Sequence, residues 1–340
     1  MRTSLDRHYA VIDQQDWPRQ EKRHLRKEIR KVLERDGEVD SQALTPQYRW
    51  NLCVERLKDG LFDDWSGFEY RSDWAVTFLG INGFKTVVPK WDGQPVKHLV
   101  VLGEQGVGDE ILFLSALPEL IVRLGHEAIE VQCYPALKAI VERSFRVNVT
   151  ERKTLGEVVA GDALVALGDL FPFYRRAVSH FPRRPYLKPD PGRVDYWRNW
   201  LAQFDSPKIG VAWHSRHGSL DAGSLVADRG HYFDLQYDSG GVSGLITVPF
   251  DTKNDIENLF AFVKSLDAVH TVTQTLVHVA GAVGTPCHAV IPPNNGCVTV
   301  SLWYHACQSL GTGKSWPHLI YPSVTLYEDI DEFRRYCCPG

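Results

Sequence analysis

Two short segments constrain the fold more than any others. GEQGVGDE at 103–110 and TVTQTLVHVAGAVGTP at 271–286 each follow an apolar, strand-like run and open a helix-like run. Between strand and helix, each places a turn of glycine, hydroxyl or amide residues. The two lie about 170 residues apart, in different halves of the 340-residue chain. This pattern predicts two nucleotide-fold halves facing one cleft. Helix N-termini direct backbone N–H groups and a partial positive charge into such a cleft, which suits a phosphate.

The chain around these turns alternates strand and helix. KHLVVLG reads as a buried parallel strand, and Ile111–Leu124 as a helix bent or split by Pro118. AIEVQC is a strand, Pro135–Phe145 a helix, and VNVT and ALVAL further strands. HFPRRPYLKPDPG at 180–192 holds four prolines and reads as an interdomain linker. The alternation then restarts: helix Val194–Phe204, strands IGVAW, YFDLQ and LITVP, helix Asn254–Leu266, strand AVHTV, helix Thr275–Val283 stopped by Gly284, and strand PCHAVI. Such alternation implies a parallel sheet covered by helices in each half. The expected class is α/β: two Rossmann-like domains with an N-terminal helical extension. The expected boundaries are 1–60, 61–185 and 186–340, with the last helix a candidate to cross back.

The extension holds two helix candidates. Residues 17–35 place Leu25, Ile29, Val32 and Leu33 at helical spacing, with eight Lys/Arg against three Glu between Arg19 and Arg35. That face is either a solvated surface or a contact for an anionic partner such as DNA or membrane phosphate. A second helix is expected from Pro46 to Asp59, capped by Thr45 and ended by Gly60, with Trp50, Val54 and Leu57 as its apolar stripe. Apolar residues make up 44% of the chain and the net charge is −4, which argues against a dedicated nucleic-acid binder. No apolar run reaches the ~18 residues of a transmembrane span. The N-terminus lacks the apolar core of a signal peptide. Seven scattered cysteines without a CxxC pair read as reduced thiols. A cytoplasmic location is expected.

Trp50–Gly60, Trp91–Pro118, Lys208–Trp213, Tyr232–Tyr237 and Asp255–Pro286 together resemble the heptosyltransferase-like and TPR-associated (O-GlcNAc transferase-like) glycosyltransferases. GEQGVGDE is similar to the start of that family's catalytic region. TVTQTLVHVAGAVGTP is similar to its donor-site loop, normally Val-Asp-Thr followed by a His and an Ala-Gly-Ala run. WNLCVERLKDGLFDDWSGFEY resembles the last helix of a TPR array passing into the catalytic domain, though no repeat array is present. The resemblance implies the GT-B architecture and an inverting, metal-independent glycosyltransferase. Its donor would be a nucleotide-sugar. Its acceptor would be a hydroxyl on a glycan, a protein or a hydroxymethylated DNA base. Alternatives are a nucleotide-sugar-binding protein that has lost catalysis and a GT-B-shaped sugar-nucleotide epimerase.

The residues carry this chemistry unevenly. GEQGVGDE is no Walker A loop, since no Gly-Lys-Ser/Thr follows, and its glycines are out of register for the dinucleotide fingerprint. The simpler reading has Gly106 and Gly108 making a tight turn and Asp109 capping the helix. The functional reading makes Asp109 the general base that deprotonates an acceptor hydroxyl, the role that the resemblance implies at this position. Glu104 and Glu110 are its rivals, and Glu104, Gln105, Gly106 and Gly108 form the acceptor-side loop. The helix dipole is expected to lower the pKa of Asp109. In the second segment, Thr273, Gln274 and Thr275 leave backbone N–H groups for phosphate oxygens. His278, one turn in, is either a donor-phosphate or leaving-group contact or a buried structural histidine. The family's Asp-Thr is Thr273-Gln274 here, which leaves the donor open. In WHSRHG, Arg216 is the preferred cation for the leaving diphosphate, with His214, Ser215 and His217 beside it. Residues 214–230 read as a flexible lid. Gln236 matches the family's Leu-Gln strand end, which contacts the nucleotide, while Asp238 stands where some relatives have lysine. Asp329 and Asp331 fit the metal-binding Asp-x-Asp formally, but they begin an acidic helix. No metal or other cofactor is expected.

Overall fold

The computed structural model describes residues 46–71, 88–152, 161–215, 218–292 and 298–338. The basic helix expected at 19–35, and Arg216 and His217, lie outside the described residues.

The first half contains α1 (Pro46–Lys58), β1 (Leu99–Leu102), α2 (Val107–Phe113), α3 (Leu117–Leu124), β2 (Ile129–Cys133), α4 (Lys138–Phe145), β3 (Asn148–Glu151) and β4 (Ala163–Ala166). Its sheet has the order β3-β2-β1-β4, with every pair parallel. LVVL of β1 is buried on both faces, as a central parallel strand must be. The helix expected at Ile111–Leu124 starts earlier and is split. A 3-10 turn at Leu114–Ala116 separates α2 from α3, and Pro118 falls in the first turn of α3. A proline there loses no hydrogen bond, whereas inside one long helix it would remove one and clash with the preceding turn.

The second half contains α5 (Pro191–Leu201), β5 (Lys208–Ala212), a hairpin of β6 (His214–Ser215) and β7 (Gly218–Ser219), β8 (His231–Asp234), β9 (Ile246–Thr247), α6 (Ile256–Ser265), β10 (Ala268–Val272), α7 (Thr275–Val283), β11 (Cys287–Val290), α8 (Val298–Leu310), β12 (Ser315–Pro317), β13 (Val324–Tyr327) and α9 (Ile330–Cys337). The sheet order is β12-β13-β11-β10-β5-β8-β9, parallel except for the β12–β13 edge. The expected α/β class with two Rossmann-like sheets is thus observed. The elements α8, β12 and β13 go beyond the sequence reading.

Both sheets reverse their winding direction at one place. In the first, β1 lies between β2 and β4; in the second, β5 and β10 are neighbours that lead to opposite edges. Ligands of open parallel sheets sit beyond the C-terminal ends of strands at such reversals. The loops after β1, β5 and β10 are 103–106, 213 and 273–274, the segments that carried the sequence argument.

The halves share one continuous core. The stripe Trp50, Val54 and Leu57 of α1 is buried, and α1 packs against α8 of the second half. Trp303 of α8 meets Trp65, Phe113 and Phe171 at ring-centroid distances of 6.4, 6.4 and 5.3 Å. The last helix, α9, rests on β11 and β13 of its own sheet. The proline-rich segment is stitched to the second half: the Tyr186 and Leu187 N–H groups both donate to the Ala282 carbonyl, at 3.0 and 3.1 Å.

Candidate active site

Helices α2 and α7 meet at their starts. Gly108 makes that approach possible: a Cβ there would stand 3.1 Å from His278 Cδ2 and 3.3 Å from Thr275 Oγ1. The two turns picked out in the sequence therefore face each other across a single junction.

The first turn is a web of charge. Glu104 is buried, with 2% exposure, and takes both Nε and Nη2 of Arg71 at 2.9 and 2.8 Å. It also accepts the Gly168 N–H at 2.7 Å. Arg71 continues to Asp169, which Lys90 pairs from its other side. Glu110 is fully buried, pairs with Arg152 at 2.6 Å and accepts the Tyr134 N–H. Arg152 also holds the Gln105 carbonyl, fixing a residue in the left-handed region at φ 59°. Of the three carboxylates in this segment, Asp109 alone has no ion pair among the described residues. One of its oxygens accepts the Gly106 N–H at 3.2 Å and caps α2.

Asp109 corrects one expectation. Its pKa is raised to about 6, not lowered by the helix dipole. Burial is the main cause, opposed by the Gly106 N–H and reinforced by the charge of Glu104. Asp109 is half-buried by surface area, yet protein crowds it on all sides. A concave site of this kind leaves a path for water while removing most of the solvent that stabilises a charge. Arg71, the cation that pulls against this shift, is already committed to Glu104 and Asp169. Burial likewise raises Glu110, to about 7, against the pull of Arg152.

The second turn is uncharged. Gln274 is the N-cap of α7 but makes no capping bond; its side chain donates to Thr271 Oγ1 at 3.2 Å. Thr273 is buried, and its N–H is used by the Val290 carbonyl. Thr275 opens the helix. His278 is buried, and burial lowers its pKa to about 4, so it is a neutral hydrogen-bonding group.

The remaining predicted residues divide. Gln236 Oε1 accepts the N–H groups of Trp213 and His214 at 3.1 and 2.8 Å, so this side chain shapes the loop after β5. His214 is exposed, while Ser215 is buried and its hydroxyl donates to the Gly218 carbonyl. Both lie in β6, which pairs with β7. Asp238 is exposed and pairs with Lys253. Asp329 caps α9 through the Glu332 N–H and pairs with Lys314. Sequence reasoning missed Arg71, Arg152, Tyr186, His318 and Tyr321. The last three form, with His278, a buried polar group beneath the junction.

No family model matches the chain. Among curated proteins it is similar to protein FlbA of Caulobacter vibrioides, at 28% identity over 283 residues, covering 69% of this chain. The chain spans 45% of the length of FlbA. Among solved structures it is similar to the E. coli ADP-heptose lps heptosyltransferase II, at 12% identity and a TM-score of 0.46, covering 67% of this chain and 89% of that one. A second is a glycosyl transferase family 9 protein from Veillonella parvula, at 11% identity and a TM-score of 0.45, covering 61% and 84%. Likeness of that degree fixes neither substrate nor chemistry. No helix among the described residues is long and apolar enough to cross a membrane.

Proposed function

We propose that the chain is an inverting, metal-independent glycosyltransferase of GT-B architecture, which moves a sugar from a nucleotide-sugar to an acceptor hydroxyl. The observation that carries this reading is the isolation of Asp109: three carboxylates share one turn, and only Asp109 has no paired cation among the described residues. A pKa of about 6 leaves it ionised near neutral pH and more basic than an ordinary carboxylate, which suits a general base. The acceptor hydroxyl loses its proton to Asp109 as its oxygen bonds the anomeric carbon. The bond from that carbon to the diphosphate breaks on the opposite face, and the nucleoside diphosphate departs. Its charge is met by the start of α7 at Gln274 and Thr275, since the Thr273 N–H expected to join them is committed to the Val290 carbonyl, and by Arg216 next to Ser215 in the chain. The acceptor is a hydroxyl of a glycan, a protein or a hydroxymethylated DNA base, and the excess of Lys and Arg between Arg19 and Arg35 suits an anionic one.

A thermal-shift panel of UDP-, GDP-, ADP- and TDP-sugars tests the reading, since a ligand of the native state raises Tm by mass action. A rise with one donor, followed by transfer to an acceptor or slow donor hydrolysis, is expected. No rise with any donor sinks the reading. A rise without turnover favours the binding protein that has lost catalysis, to which the replacement of the family aspartate by Thr273-Gln274 points.

A further inference from the structure

A line of hydrogen bonds runs beneath the junction of the two halves. His278 Nδ1 lies 3.1 Å from the Tyr321 hydroxyl, which lies 3.2 Å from the Tyr186 hydroxyl. Tyr186 in turn donates to the Ile111 carbonyl of α2 at 2.5 Å. Each phenol carries one proton, and a carbonyl only accepts. The direction of the whole line follows. Tyr186 spends its proton on Ile111, so it accepts from Tyr321. Tyr321 spends its proton on Tyr186, so it accepts from His278. The Nδ1 atom of His278 must then carry the hydrogen, and Nε2 is bare.

The far edge of the ring faces the start of α2. Cδ2, bonded to Nε2, is the atom that packs against Gly108 at the start of α2. Nε2 makes no hydrogen bond among the described residues. Burial keeps the ring neutral, and it keeps both phenols protonated by raising them far above their ordinary range. The Tyr321 ring is itself immobilised. His318 stacks on it at 4.5 Å and 28°, and Tyr186 lies along its other reach at 6.3 Å and 23°. His318 accepts the Ile320 N–H at Nδ1, which fixes that ring as well.

We propose that Tyr186 and Tyr321 are positioning residues that hold His278 as its Nδ1–H tautomer, so that Nε2 accepts a hydrogen bond from a substrate hydroxyl. A neutral ring with a bare Nε2 cannot donate to a phosphate oxygen. It is complementary to a group that brings its own hydrogen. The inference rests on the glycosyltransferase reading for the source of that hydroxyl, a sugar, but not for the tautomer. Because the line ends on Ile111, the ring is set only while the linker, α2 and α7 hold their present register.

Nitrogen NMR of protein labelled at histidine reads the tautomer directly. In the unliganded wild type, His278 is expected to show a protonated Nδ1 and a bare Nε2; the reverse assignment overturns the proposal. Tyr321→Phe and Tyr186→Phe are expected to release the Nε2–H form and to lower kcat/KM about tenfold for Tyr321→Phe and less for Tyr186→Phe. A Tm loss with the tautomer unmoved assigns the phenols to packing alone and overturns their positioning role. Adding each nucleotide-sugar of the panel, its matching nucleoside diphosphate, or inorganic pyrophosphate separates the partners. The Nε2 resonance should move only with the sugar-bearing ligand. An equal shift with diphosphate alone makes the contact a phosphate and overturns the hydroxyl assignment. If no nucleotide-sugar binds, the hydroxyl assignment falls with the glycosyltransferase reading, while the tautomer result still decides the role of the two tyrosines.

Discussion

The turns that open α2 and α7 have the same plan and opposite chemistry. Each follows the C-terminal end of a strand at the winding reversal of its sheet, and each starts a helix that packs on the other. The first places three carboxylates within seven residues and ties two of them to arginines. The second has no charged group between Thr271 and Val283 and caps its helix with a side chain that bonds elsewhere. One turn is thus equipped to hold and move a proton, and the other to leave backbone N–H groups for an anion. The difference lies in the side chains, since the backbone plan is common to both.

The largest effect should come from the proton side. Asp109→Asn keeps the cap to the Gly106 N–H but cannot take a proton, and kcat should fall by about a hundredfold to ten-thousandfold with donor affinity unchanged. In the wild type, kcat/KM should rise with pH through an apparent pKa of about 6. Stability runs the other way. The folded pKa of Asp109 lies above the unfolded carboxyl value, so its protonated form favours folding and that contribution is lost as pH rises through about 6. Asp109→Asn should therefore melt higher than wild type at pH 8 and equal to it near pH 4. Turnover close to wild type in this variant would move the base to another group and dissolve the contrast between the turns.

Next comes the support of that turn. Arg71 is fully enclosed by Glu104, Asp169 and Phe68, with its guanidinium 4.2 Å from the ring. Arg71→Met leaves two buried carboxylates facing only Lys90, and unfolding free energy should drop by about 3–5 kcal/mol in denaturant titrations. A loss below about 1 kcal/mol would show that the web around the first turn contributes little, and that the two turns are held alike.

Local patterning made the strands and both turns legible. LVVL is uniformly apolar, AVHTV sets His270 and Thr271 among apolar neighbours, and Gly284 stops α7 in the left-handed region at φ 78°, as its sequence position predicts. The partners of the site residues were not legible. Arg71 precedes Glu104 by 33 residues, and Tyr321 follows His278 by 43, so nothing in either local pattern announces the pair. VTVSLWYHACQSL of α8 opens on β-branched residues and has no charged side chain in its first turn, so its sequence announces no helix start. The direction of the Asp109 shift was misread for the same reason. The dipole of α2 is local and visible in sequence, whereas the burial that outweighs it comes from tertiary packing, which is not. Gln236 was legible as a polar strand end, but its acceptors' use by Trp213 and His214 depends on β5 and β8 being neighbours.

A charge placed on the neutral side gives a smaller effect. Gln274→Glu puts a carboxylate at the N-cap of α7, where a negative side chain stabilises the free helix. It would also stand within several ångströms of the expected diphosphate. At about 8 Å and an effective dielectric of about 20, two unit charges interact by about 2 kcal/mol. Donor Kd should rise tenfold or more while Tm holds or increases. A variant that binds the donor as tightly as wild type would place the diphosphate elsewhere than the start of α7.

The smallest expected effect is none. If the second turn and Arg216 carry the charge of the leaving diphosphate, no divalent cation is required. Asp329 and Asp331, which form an Asp-x-Asp, do not offer a free pair: Asp329 is committed to the Glu332 N–H and to Lys314. Treatment with EDTA should leave kcat and donor KM within twofold of their untreated values, and added Mg²⁺ or Mn²⁺ should change neither. Activity lost in EDTA and restored by either ion would mean that a metal bridges the diphosphate. The neutral turn would then be neutral because an ion supplies its charge, and the contrast between the two turns would rest on the metal instead of on the helix start.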